Sequence, residues 1–313
     1  MNIDSELMKW SGSRPLNAIN KSSIVPSIVV FALALALVGS SLSAEAGQSR
    51  VDSSRASSVA AKHAPIVVIP GPDGNALVTG EGQFTSANWS GYVLPQFITN
   101  ELYTSAQATW VVPTVVFKKK PAVSSNWVGI GGFCKNSQCR SVDKSLIQLG
   151  TAHEAISRTR TDYFAWYEML PAASIPTPLV VNPGDVITAS LSCAGNCTPG
   201  SQSWTLSMID ETTGKSWSQP FTYESSNLSA EWIEEAPSGR SGILPLADYG
   251  TSTFDQSMTN GDSANLTLAD TIVMRDPHGE SSNVSALDST LDGFSACFEP
   301  HKKLKPCSFV PLP

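Results

Sequence analysis

Trp204-Thr205-Leu206-Ser207-Met208-Ile209 sets apolar side chains on alternate positions, the period of two that an antiparallel strand with one buried face requires. The same texture extends in both directions. Ala106–Phe117, Asn126–Ile130, Tyr163–Leu170, Asp185–Leu191, Ser216–Tyr223, Ala230–Glu235 and Ala264–Met274 are short runs with Val, Ile, Thr, Trp and Tyr, broken by Pro and Gly. Pro183-Gly184-Asp185 and Thr212-Thr213-Gly214-Lys215 supply turns between them. Helical periodicity is nearly absent. Eight or more such strands predict an all-β fold, an antiparallel β-sandwich or jelly roll of two packed sheets.

The rest of the 313 residues sets the compartment and the boundaries. Lys9, Arg14 and Lys21 precede an apolar run, Ile24 to Val38, that is short for a membrane span and is followed by small residues at Ala44 and Ala46. This predicts a secretory signal within residues 1–46. Residues 47–83 are rich in Ser, Ala, Gly and Pro without a period and read as a linker or propeptide, residues 84–296 as the β-sandwich, and residues 297–313 as a C-terminal tail. Six cysteines in three local pairs, Cys134 with Cys139, Cys193 with Cys197 and Cys297 with Cys307, suit an oxidising compartment and predict sequential disulfides. The four histidines are scattered and form no metal-binding frame, so no metal or other cofactor is expected. With 15% charged residues and a net charge of −7, nucleic acid is excluded as a partner.

Polar residues inside apolar strands mark the candidate chemistry. Two-residue periodicity puts Gln148 on the face of Leu146, Glu168 on the face of Phe164 and Trp166, and Glu231 on the face of Ser229, Ile233 and Glu235. A carboxylate can take a proton from water while a carboxamide holds that water and donates to an oxyanion, which together suffice for direct attack on an amide. The plainer readings are a structural amide for Gln148, a surface acid for Glu231, core packing for Trp166 and a solvated strand end for Glu234 and Glu235. His153 reads as a solvent-exposed loop histidine outside the site.

Asn88-Trp89-Ser90-Gly91, Trp127-Val128-Gly129-Ile130, Leu146-Ile147-Gln148-Leu149-Gly150, Ala165-Trp166-Tyr167-Glu168 and Ala230-Glu231-Trp232-Ile233-Glu234 follow one another in the order, and at spacing similar to that, of the glutamic peptidases. The chain resembles this eqolisin family, peptidase family G1, from about Ser86 to Ala296 and most closely from Ser125 to Glu235. The resemblance implies a secreted acid endopeptidase on a two-sheet β-sandwich, with Gln148 and Glu231 as the catalytic pair and Trp127, Trp166 and Glu168 lining the cleft. It also implies polypeptide substrates, a monomer, and no stable membrane association once the signal is cut. Gly131, Phe164 and Leu170 stand where relatives often carry an acid, an acid and an aromatic residue, so the surroundings of the pair are expected to be rebuilt. Two rival functions fit the same strands. A glycoside hydrolase would use Glu168 and Glu231 as paired carboxylates, and a carbohydrate-binding module would need only the aromatic residues.

Overall fold

Trp204, Leu206 and Met208 are buried and Thr205 and Ile209 exposed, within a strand that runs Gly200–Asp210. A computed structural model describes residues 61–76, 78–79, 83–198, 200–300 and 306–313, and the apolar run of the expected signal lies outside them. Among the described residues no helix is long and apolar enough to cross a membrane.

Strands of four residues or more are numbered here in chain order: β1 Gln83–Ser86, β2 Trp89–Pro95, β3 Ser105–Val111, β4 Ala122–Gly131, β5 Leu146–Ser157, β6 Arg160–Met169, β7 Val186–Ala194, β8 Gly200–Asp210, β9 Lys215–Ser225, β10 Ser229–Glu235, β11 Thr251–Thr259, β12 Thr271–Arg275, β13 Ser281–Val284 and β14 Phe294–Glu299. One layer has the order β12-β2-β10-β4-β5-β6 and the other β14-β11-β3-β7-β8-β9, almost entirely antiparallel. β13 pairs with both β12 and β14, so a single ladder turns a corner and folds back on itself. The core between the layers takes Tyr92, Val128, Leu149 and Trp232 from one sheet and Trp110, Leu191, Trp204 and Phe254 from the other. This is the expected all-β sandwich.

Several expected strands have other bounds. The run from Ala106 stops pairing at Val111, two residues before Pro113, which lacks the N–H a ladder needs. Of Ala264–Met274 only the end is strand, because the Asp270 carboxylate accepts from the Thr267 N–H and hydroxyl and holds a short turn there. β11 and β13 escaped notice because Ser, Thr, Asn and Gln dilute their apolar alternation. β14 passes three residues beyond the boundary drawn at 296. The three disulfides join the cysteines in the sequential pattern expected.

Candidate active site

The register of the first layer puts side chains of five strands into rows on its outer face. Val93, Glu231, Gly129, Gln148 and Glu168 form one row across β2, β10, β4, β5 and β6. Gly91, Ile233, Trp127, Gly150 and Trp166 form the next, and Trp89, Glu235, Ser125, Ala152 and Phe164 the third. All five residues proposed from the sequence therefore share one face and two adjacent rows. Directly paired antiparallel residues point the same way, so register alone brings Glu231 and Gln148 together across β4.

What lies between them is a glycine. Two strand spacings separate the Glu231 and Gln148 backbones by about 10 Å, and Gly129 sets no side chain of its own between them; the edge of the Trp127 ring lies over it instead. A Cβ on Gly129 would sit 2.9 Å from Trp127 Cζ3 and 3.1 Å from Gln148 Cβ. Glu231 and Glu168 are a further strand apart, about 14 Å at the backbone, with Gln148 between them in the row.

Gln148 Nε2 donates to Glu168 Oε2 at 2.9 Å, and the Gln148 carbonyl oxygen has no partner among the described residues. Among the described residues neither oxygen of Glu231 has a hydrogen-bond partner of good geometry. Burial pushes the Glu231 carboxyl well above its ordinary range, and the charge of Asp143 adds to this, while the Ser229 hydroxyl alongside opposes it. Glu168 is pushed up to about 7, chiefly by burial and further by Glu235, against the pull of His63 and its bond with Gln148. Both acids therefore keep their protons to higher pH than an ordinary carboxyl does.

Trp127 and Trp166 carry polar anchors. Trp127 Nε1 donates to Glu235 Oε2 at 2.9 Å, and Trp166 Nε1 to Ser125 Oγ at 3.1 Å. Glu235 is thereby a member of the site, not the solvated bystander expected, and Glu234 is fully buried as well. The reason is topological: β10 is held on both sides by β2 and β4, so even its last residues are interior. Glu234 faces the other way, beside Ser124 and Asn126, with its carboxyl raised well above the ordinary range by burial. His153 is also corrected from exposed to buried. It sits inside β5 against Thr151 and Ser124, and burial holds its pKa down to about 3.

Gly131 has φ +92, and a Cβ there would collide with the Ser145 carbonyl oxygen. An acid cannot take this place without moving the loop that follows. That loop, with residues 61–69, closes over the face, and Gln148, Glu168, Glu231, Trp127 and Trp166 are each at most 1% exposed. Three carboxylates elsewhere, Asp255, Asp288 and Asp292, lie within 4.8 Å of one another, and Thr290 and neighbouring backbone N–H groups already hydrogen-bond them.

Comparison with known proteins adds to this geometry. The chain is 25% identical to Aspergillopepsin-2 of Aspergillus niger over 233 residues, covering 68% of this chain and 79% of that protein. Its fold is similar to the crystal structure of scytalido-glutamic peptidase with a transition state analog inhibitor, with a TM-score of 0.52 at 22% identity over 68% of this chain and 98% of the other. The sequence pattern of the Peptidase A4 family matches residues 87–292 and so takes in all five strands of the site rows. On that match, well over half of its length, the chain belongs to the Peptidase A4 family, the glutamic peptidases of group G1.

Proposed function

We propose that Glu231 and Gln148 are the catalytic pair of this glutamic peptidase. When the cleft opens and water enters, Glu231 loses its burial and ionises at mildly acidic pH, where an ordinary glutamate titrates near ~4.3. It takes a proton from a water held between it and Gln148, and that water attacks the scissile carbonyl carbon. The Gln148 N–H not given to Glu168 donates to the developing oxyanion, while the carbonyl oxygen helps hold the water. Protonated Glu231 then gives its proton to the leaving nitrogen, which returns the carboxylate. Glu168 holds the carboxamide in orientation, and Trp127 and Trp166 line the floor on which an extended substrate would lie.

The observation that supports the reading is the row Glu231–Gly129–Gln148, in which the intervening residue has no side chain and both flanking side chains carry oxygens without a hydrogen-bond partner among the described residues. The N-terminal apolar run and the three disulfides support reading it as a secreted enzyme. The test is hydrolysis of denatured casein at about pH 4. Glu231→Gln and Gln148→Ala are each expected to lower kcat by about a thousandfold with the fold intact. Cleavage that survives both substitutions would sink the assignment.

A further inference from the structure

The hydroxyl of Tyr223, on β9 of the second layer, reaches the first layer and ends inside its ladder. It accepts from Leu146 N at 2.8 Å and donates to Leu170 O at 2.9 Å, while Leu170 N donates to Leu146 O at 2.9 Å. In the register of β5 and β6, Leu146 and Leu170 are the pair that follows Ile147 with Met169. A hydrogen-bonded antiparallel pair ordinarily exchanges both N–H···O bonds directly. Here a tyrosine hydroxyl replaces one of the two, so on that side the strands are held by two hydrogen bonds in series. Hydrogen-bonded pairs alternate along a ladder, and the next one inward is Gln148 with Glu168.

The same end of β9 leads into the other half of the site. Ser226 Oγ donates to the Asp143 carboxylate and Ser226 N to Ser145 Oγ at 3.1 Å, and Ser145 N and Oγ both donate to Asp143 at 3.1 Å. β10 then starts at Ser229, and Glu231 is its third residue. The connector is itself pinned. Gln202 of β8, which is buried, accepts from Ser225 N at 2.9 Å and donates to Asn227 Oδ1 at 2.6 Å, and Asn227 Nδ2 donates to Tyr103 O at 2.7 Å. Residues 223–227 thus form a bracket that grips the start of β5 and launches β10. Within the sheet those two strands meet only through β4, and the bracket ties them a second time from outside it.

We propose that the Tyr223 hydroxyl is a positioning group for the Gln148 carboxamide, acting through Leu146 and Leu170 to set the spacing of β5 and β6 beside the Gln148–Glu168 pair. Its bearing on catalysis rests on the reading of Gln148 and Glu231 as the catalytic pair. The tyrosine ring is a stiff arm with one polar tip, and a phenylalanine keeps the arm but not the tip. Leu146 N and Leu170 O are then left to close on each other or to take up water. Either outcome changes the strand spacing at that end and turns the carboxamide out of line with Glu231. A displacement of about 1 Å at a reacting group can cost about a hundredfold in rate.

The test compares Tyr223→Phe with Phe221→Leu in the full-length chain. Phe221 stands two residues before Tyr223 on β9 and packs on Tyr167 with ring centroids 4.7 Å apart, so its loss loosens the same seam without removing a hydrogen bond. With casein at about pH 4, Tyr223→Phe is expected to lower kcat at least about tenfold with KM within about threefold. Phe221→Leu should leave kcat within about twofold while lowering the thermal midpoint at least as far. Independently of activity, the side-chain amide signals of Gln148 in a proton–nitrogen correlation spectrum, assigned by their absence in Gln148→Ala, should move in Tyr223→Phe and stay in place in Phe221→Leu. Unmoved Gln148 signals overturn the proposal, as does a kcat that is unchanged in Tyr223→Phe or that falls equally in both variants. Moved signals in a chain whose wild type cuts no protein would leave Tyr223 positioning Gln148 and refute the peptidase reading instead.

Discussion

Glu168 is tied to the candidate pair through its bond with the Gln148 carboxamide. With a carboxyl pushed up to about 7, it is neutral in acid and charged above neutrality. A charged Glu168 would grip the Gln148 carboxamide by a charge-assisted bond and draw its other N–H away from the oxyanion. Hydrolysis is therefore expected to fall as pH rises through about 7, and Glu168→Gln to flatten that limb in a pH profile of kcat; an unchanged limb assigns it to another group. At this scale the sequence was readable where strand parity decides. Parity placed Gln148 with Leu146 and Glu168 with Trp166, and it placed Glu235 beside Glu231. Only the prior that acids at strand ends are solvated set Glu235 aside. His63 was not readable, because nothing in residues 47–83 signals which of them returns to the sheet.

At the scale of strands, small residues decide how closely rows can pack. Gly150 lies between Trp127 and Trp166, and a Cβ there would press on the Asn126 carbonyl oxygen and come within 2.6 Å of Trp127 Cβ. Gly150→Ala should cost about 3 kcal/mol in chemical denaturation. Gly214→Ala, at a turn with φ +69 and open space around it, should cost only about 1 kcal/mol. Equal losses at the two positions would mean that the row packing is looser than the register implies. Strand identity was largely legible from alternation, but pairing order was not. That β10 is central, and that β4 separates Glu231 from Gln148, depends on contacts between segments about a hundred residues apart, which local pattern does not encode.

For the molecule as a whole, the buried acids set the direction of its pH response. Glu168, Glu231 and Glu234 all titrate higher in the fold than in the unfolded chain. The folded state then binds more protons above about pH 4.5, so stability is fully present below that pH and is lost as pH rises toward 7. His153, held down to about 3, works the other way between there and its ordinary 6.5, as one group against three. The thermal midpoint of the full chain is expected to be about 5 °C or more higher at about pH 4.5 than at about pH 7.5. The reverse order would show that the three acids are wetter than their burial implies. Two layers were legible from the number of strands, but the corner at β13 was not, since its Ser-rich sequence carries little apolar signal. The segment 61–69, finally, belongs to the chain whose site face it closes over. A short connector ties it to β1, so its local concentration is of millimolar order and does not fall when the protein is diluted. A cut in that connector turns the same segment into a free peptide that dilution carries away. The segment's hold on the sheet is thus independent of protein concentration, and one cut in the connector ends that independence.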